Sequence, residues 1–465
     1  MNSIPPDDRQ TCLRVLQQLA DAPELIDDDI RFKTLIAKIH RTGKRRKRRG
    51  GPPVATDTEA TKSHSTTKPY PIGSTSQTSA YAISASSLRK RRCYVCKNDY
   101  RREHHFYHLL CPDCATLNFA KRSARTCLDG RVALITGGRI KIGFEVAVKL
   151  LRDGADVHVT TRFPLDAAER FRRQDDFDEW SGRLKISALD LLDLPSVHAF
   201  ADAFAMAYER LDILVHNAAQ TIRRPASFYA RCVDVTDPRR RDDLVHHFAS
   251  VRMQPSSGSS AVKRLSATGW VVEASDLAQP SSPIATATDA FGQPIDPRAM
   301  NSWRLKIGEV STVELLESYL VTAAAPFIIT SRLLPMMRRV APETERPRKF
   351  IINVSAMEGQ FARRDKTAHH PHTNMAKAAM NMMTRTAAGD LAKEAIYMNS
   401  VDTGWITDEN PHPIASQIRR RYGFRPPLDV IDGASRIYDP IVTGLSDDAT
   451  PMHGRFLKDY RVHDW

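Results

Sequence analysis

From Leu128 onward, short apolar runs alternate with stretches of helical periodicity, and no other feature of the chain restricts its fold so sharply. Val132-Ala133-Leu134-Ile135, Val157-His158-Val159-Thr160, Leu184-Lys185-Ile186, Ile213-Leu214-Val215 and Phe350-Ile351-Ile352-Asn353-Val354 read as strands. Between them lie segments patterned for helices, such as 144–151. Strands joined through helices run parallel, and a parallel sheet is covered on both faces, so the expectation is an α/β domain over 128–465 with a doubly wound sheet. Residues 231–310 break the rhythm: Pro255-Ser256-Ser257-Gly258-Ser259-Ser260 and Pro280-Ser281-Ser282-Pro283 are too polar for core, and the stretch is too long for an ordinary connection. They read as an insertion over the edge or mouth of the sheet. Ser311-Thr312-Val313-Glu314 has the form of a capping box, which predicts that a helix resumes there.

The 465 residues carry a net charge of +14, unevenly distributed. Residues 1–128 hold 24 Lys and Arg against 12 Asp and Glu, and the remainder holds 44 against 42. Basicity therefore belongs to an arm, not to the α/β domain. Within 1–49, Leu13, Val15, Leu16 and Leu19, then Phe32, Leu35, Ile36 and Ile39, recur at helical spacing ahead of Lys44-Arg45-Arg46-Lys47-Arg48-Arg49. Residues 50–87 are rich in Gly, Pro, Ser and Thr and poor in large apolar groups, the composition of a disordered, flexible linker. The basic run is open to three readings: an import signal, a patch contacting nucleic acid or an acidic protein, or a solvated tail. The sequence shows no run of about 18 uninterrupted apolar residues and no secretion-type amino terminus, so an intracellular protein, cytoplasmic or nuclear and without membrane contact, is expected.

Cys93-Tyr94-Val95-Cys96 and Cys111-Pro112-Asp113-Cys114 form two C-x-x-C pairs separated by 14 residues, the spacing of a four-sulfur zinc site. With Cys93, Cys96, Cys111 and Cys114 filling the shell of Zn2+, no position stays open for water, and the expected role is structural within a module at 88–127. His104, His105 and His108 lie between the pairs as alternative ligands.

After the first strand of the α/β domain comes Thr136-Gly137-Gly138-Arg139-Ile140-Lys141-Ile142-Gly143, a glycine-rich turn that lets backbone approach a pyrophosphate at a helix N-terminus. Here the chain resembles the short-chain dehydrogenase/reductase family, whose turn reads T-G-x-x-x-G-x-G. Lys141 stands where the family has its middle glycine. The resemblance implies a Rossmann-like fold and a nicotinamide dinucleotide held by Thr136, Gly137, Arg139, Ile142 and Gly143. Arg162, directly after the second strand, is similar to the family's reader of the adenosine 2′-phosphate, which implies NADP in preference to NAD. Asp190 resembles the adenine contact, Asn217-Ala218-Ala219 the N-A-G turn, and Thr403-Gly404-Trp405-Ile406-Thr407 the P-G segment, with Thr407 near the nicotinamide amide. Residues 408–427 would form the lid and 454–457 the last strand. Assembly of identical subunits is implied by the resemblance alone.

Family chemistry uses a tyrosine as proton donor, a lysine that lowers its pKa and grips the ribose, and a serine on the substrate oxygen. In His372-Thr373-Asn374-Met375-Ala376-Lys377-Ala378-Ala379 the lysine is Lys377, and Thr373 occupies the tyrosine's place. The serine position falls on Ala356, with Ser355 on the opposite face of a strand. A helical asparagine is replaced by Thr322. A threonine hydroxyl is a poor proton donor near neutrality. The residues thus admit an NADP-binding oxidoreductase acting on a small carbonyl or alcohol substrate with a substitute acid, His372 being the expected one among His369, His370 and Glu358. The alternative is a silent nucleotide-binding scaffold whose zinc module and basic arm bind a protein or nucleic-acid partner, and a lyase or epimerase stays open without a specific feature.

Overall fold

A computed structural model describes residues 5–21, 90–224, 226–229, 232, 242–246, 287–339, 348–363, 366–446 and 450–465. The chain divides into two compact units, Met1–Thr66 and Thr67–Trp465. In the first, helix α1 (Pro6–Asp21) opens with proline at its first turn followed by Asp7 and Asp8, where the helix dipole favours negative charge. The second expected helical stretch, the basic run at 44–49 and the linker at 50–87 lie outside the described residues.

The described part of the second unit opens with a hairpin of β1 (Arg91–Arg92) and β2 (Asp99–Tyr100), then helix α2 (Pro112–Arg122). The α/β part follows as β3 (Val132–Thr136), α3 (Lys141–Arg152), β4 (Asp156–Thr161), α4 (Pro164–Arg172), α5 (Phe177–Trp180), β5 (Leu184–Ala188), α6 (Leu194–Ala207) and β6 (Ile213–His216). After the insertion come α7 (Thr312–Tyr319), a π turn (Leu320–Ala324), α8 (Ala325–Met337), β7 (Lys349–Ser355), α9 (Pro371–Ala392), β8 (Ile396–Asp402), α10 (His412–Tyr422), α11 (Val430–Leu445), β9 (Phe456–Lys458) and β10 (Arg461–His463).

Eight strands form one sheet in the order β10-β9-β8-β7-β6-β3-β4-β5, parallel except for β10. The doubly wound, Rossmann-like reading is correct. Alternate strand residues face opposite layers. Ala133, Ile135, Ile213, Val215, Phe350 and Ile352 join α3, α4 and α11 in one core, while Leu134, Leu214 and Ile351 join α6, α8 and α9 in the other. The continuous helix Thr312–Met337 is long and apolar enough to cross a membrane by composition, yet 56% of that window is buried inside the domain. Its side chains belong to the second core.

Two strands depart from the sequence reading. β8 carries buried Asn399 and Ser400, whose polarity hid it; Asn399 donates to Met452 O at 2.7 Å and Ser400 pairs with Thr384 at 2.8 Å. The strand expected at 454–457 forms as β9 over Phe456–Lys458 but is not the last, for a turn at Asp459 and Tyr460 with positive φ leads into antiparallel β10. Of the insertion, residues 232, 242–246 and 287–310 are described. Ile186 of edge strand β5 donates to Leu244 O at 2.9 Å and accepts from His246 N at 2.7 Å, while Gln293 packs on the glycine turn through Arg139. Ser311 caps α7 by accepting from Glu314 N, but the Glu314 carboxylate turns to Ser302, so the capping box is half-formed.

Candidate functional site

The sheet order reverses between β3 and β6, and a crevice opens beyond the carboxyl ends of those strands. It is the mouth of a cavity of about 1310 Å³. The glycine turn follows β3 and forms its floor. A Cβ on Gly143 would collide with the Asn217 amide and the Gly137 carbonyl, and one on Gly137, at φ 74°, would sit 3.0 Å from Ala218. Lys141 itself takes φ 54°, so lysine adopts the left-handed conformation expected of glycine, with its ammonium over the Phe291 ring. Asn217 donates to Gly137 O at 3.0 Å and Thr136 O at 3.2 Å, while Thr136 Oγ1 accepts from the backbone of Asn217 and Ala218. Asn217 and Thr136 therefore build the turn more than they face a ligand.

Arg162, Asp190 and Tyr229 line the cavity past the end of β4. The Arg162 guanidinium lies over the Tyr229 ring at 4.6 Å, and Asp190 Oδ1 accepts from Leu192 N. Arg139 also lines the cavity, but its guanidinium is paired with Asp166 at 2.5 Å and Gln293 at 2.8 Å. The guanidinium thereby ties the insertion to the turn.

Helix α9 walls one end of the cavity. Lys377, 6% exposed, donates from Nζ to Val354 O at 2.7 Å. Burial draws its ammonium down to about 8, with Glu358 and Asp402 pulling the other way. One turn earlier Thr373 lines the same cavity, 5% exposed and with a hydroxyl that has no hydrogen-bond partner. Ser355 donates to Asn381 Oδ1 at 2.6 Å and Asn381 donates to Gly359 O, so the serine hydroxyl braces α9 and Ala356 lines the cavity. Thr322 is buried in the π turn, beside cavity-lining Val321.

The structure overturns one placement. His372 is not in the cavity wall; it is 2% exposed, neither ring nitrogen has a hydrogen-bond partner, and its nearest charge is Glu314 at 3.9 Å. Successive helical residues point about 100° apart, and Thr373 holds the cavity side. Burial also lowers the His372 pKa, against the pull of Glu314, which further unfits it as an acid. His370 stacks on Trp303 at 3.9 Å between ring centres, and His369 bonds Arg304 O, so both bind the returning insertion.

At the same end Thr407 lines the cavity, its hydroxyl donating to Glu409 at 2.5 Å. Residues 408–427 contain α10, a polar helix ending on left-handed Gly423.

The four cysteines come together. The hairpin β1–β2 holds Cys93 and Cys96 on its turn, Cys111 precedes α2, and Cys114 lies in its first turn. All four Sγ atoms are within 4.8 Å of one another, and Cys96 and Cys111 are 3.7 Å apart. A tetrahedron with bonds of about 2.3 Å has edges of about 3.8 Å, so the donor set fits zinc. His104 instead accepts from the backbone of Phe106 and stacks among aromatic rings. Cavity residues that sequence reasoning missed are Tyr94, Lys97, Tyr229 and Trp303. Only Tyr94 and Lys97 carried any signal, their position in the first C-x-x-C turn.

Comparison with known proteins agrees with this architecture. The short chain dehydrogenase family model matches residues 131–248, and the model described as enoyl-(acyl carrier protein) reductase matches 309–457. Uncharacterized protein R665 of Acanthamoeba polyphaga mimivirus is 30% identical over 380 residues, 78% of this chain and 74% of that one. The short-chain dehydrogenase/reductase pyiH of Pyricularia grisea is 34% identical over 140 residues, which are 30% of this chain and 56% of its own. Dehydrogenase/reductase SDR family member 13 of Homo sapiens is 43% identical over 93 residues, 20% and 24% of the two chains. Against the second and third of these, then, the match spans less than two thirds of the relative. Among solved structures, an NADPH-bound carbonyl reductase from chicken fatty liver shares 18% identity at a TM-score of 0.44, covering 73% of this chain and all (100%) of that one. With both family models falling on the strand-rich halves and the glycine turn, Asn217 and Lys377 converging on one crevice, the chain belongs to the short-chain dehydrogenase/reductase family.

Proposed function

We propose that the protein binds NADP(H) in the crevice and acts as an oxidoreductase on a small carbonyl or alcohol, with structural Zn2+ held by Cys93, Cys96, Cys111 and Cys114. The observation that carries this reading is the meeting of the glycine turn, Arg162 and buried Lys377 around one cavity. When bound, the reduced nicotinamide supplies a hydride to the carbonyl carbon. The chain's own residues must then supply a proton to the carbonyl oxygen. Lys377, drawn down to about 8, is a competent donor near neutrality, and the Thr373 hydroxyl, which has no hydrogen-bond partner, lines the same cavity and is open to bond the carbonyl oxygen. Lys377 is reprotonated from solvent. NADP is favoured over NAD because Arg162 offers a cation at the end of β4.

Fluorescence titration with NADPH, then a panel of carbonyl substrates, tests the reading. Binding with turnover that Lys377→Ala abolishes supports it, and no binding at millimolar NADPH or NADH refutes it. Binding without turnover would favour the scaffold reading, to which the missing phenol at Thr373 lends support. For the basic arm we propose contact with nucleic acid or an acidic protein; a gel shift that fails even at low salt would remove nucleic acid.

A further inference from the structure

The cysteine module contributes side chains to the wall of the dinucleotide cavity. Tyr94, Val95, Cys96 and Lys97 line it together with Lys377 and Thr373. The Trp405 N–H donates to the Tyr94 hydroxyl at 2.9 Å, next to Gly404, whose φ of 85° fixes the path of the chain after β8. Ile406 and Leu428 complete the module's apolar core. The far side of the module is tied to α11: Arg122 pairs with Asp429 at 2.7 Å and Asp432 at 2.9 Å, Tyr107 bonds Asp432, Lys121 pairs with Asp439, and Arg436 donates to Asn118 at 2.6 Å. Gly433 of α11 in turn lies close enough to Ile406 and Ile142 that a Cβ would strike both side chains. One unbroken set of contacts thus runs from the metal-ligating turn to residues 404–407 and on to the glycine turn.

We propose that Tyr94 is a positioning residue for the nicotinamide half of the dinucleotide, and that metal occupancy of the four cysteines and NADP(H) affinity are thereby coupled. The inference rests on the cofactor reading above. A metal joining the two cysteine pairs holds the 93–97 turn in one conformation. That conformation presents the Tyr94 hydroxyl to Trp405 N and fixes the segment carrying Thr407, opposite Lys377. Because coupling free energy is reciprocal, bound NADP(H) must also retain the metal.

The full-length zinc-loaded chain is compared with Tyr94→Phe, which removes one hydroxyl and leaves every thiol. Zinc content is measured per chain, affinity for NADPH and for 2′,5′-ADP by titration, and zinc loss to a chromogenic chelator with and without saturating NADPH. Tyr94→Phe should retain its zinc, bind NADPH at least about five-fold more weakly, and bind 2′,5′-ADP, which lacks the nicotinamide, as the parent does. NADPH should slow zinc loss from the parent by a similar factor. Equal NADPH affinity in the variant, equal weakening toward 2′,5′-ADP, or zinc loss indifferent to NADPH overturns the inference while the cofactor reading stands. A parent chain that binds no NADPH, or that carries no metal as purified, overturns it as well, and the former takes the cofactor reading with it.

Discussion

Burial draws the Lys377 ammonium down to about 8, and the acid form is the one that gives a proton. Reduction should therefore be flat below about pH 8 and fall roughly ten-fold per unit above it, with alcohol oxidation showing the opposite limb; a pH–rate profile checks this. Thr373→Val should lower reductive turnover by about 100-fold while NADPH affinity is unchanged, and stopped-flow turnover beside titration separates the two. At the other end of the cavity, Arg162→Ala removes a charged hydrogen-bond donor, typically about 1.5–3 kcal/mol, so NADPH should bind about 10- to 100-fold more weakly and NADH as before. Lys377 and Thr373 were legible through the family resemblance, and residues four apart share a helix face. The fate of His372 was not, because the direction of a residue near a helix start depends on what packs against it, here Glu314 and the segment around Ser302.

The glycine turn is the element on which dinucleotide binding stands, and its two exceptional positions make opposite predictions. Gly143→Ala forces a methyl into the Asn217 amide and should abolish NADPH binding with a lower unfolding midpoint. Lys141→Gly relieves a left-handed non-glycine residue and should leave binding intact, whereas Lys141→Val, with a branched Cβ at φ 54°, should weaken both binding and stability; thermal shift with and without NADPH measures each. The turn could be read from sequence because strand, glycines and helix follow each other without a gap. β8 could not, for its buried Asn399 and Ser400 are satisfied by Met452 and Thr384, partners on other elements that no local pattern reveals.

At the scale of the whole molecule, the cysteine module is not an appendage to the α/β unit. Its core includes Leu428 and Ile406, and its ion pairs end on α11. Removal of zinc by a chelator should accordingly lower the unfolding midpoint of the Thr67–Trp465 unit in a single transition, not melt the module in a separate, earlier one; calorimetry distinguishes these outcomes. What the sequence determined by itself was written in local periodicity or short spacing: the parallel strands, the turn after β3 and two cysteine pairs that meet, with Lys377 and Thr373 added by the family resemblance. The tertiary structure alone decided which cations stay free for a ligand, as Arg139 shows by pairing with Asp166 and Gln293, and what faces the crevice from afar, as Tyr94 does across some three hundred residues of chain. The physical reason is that pairing and burial are set by long-range packing, and packing depends on the whole set of neighbours that a chain folds against.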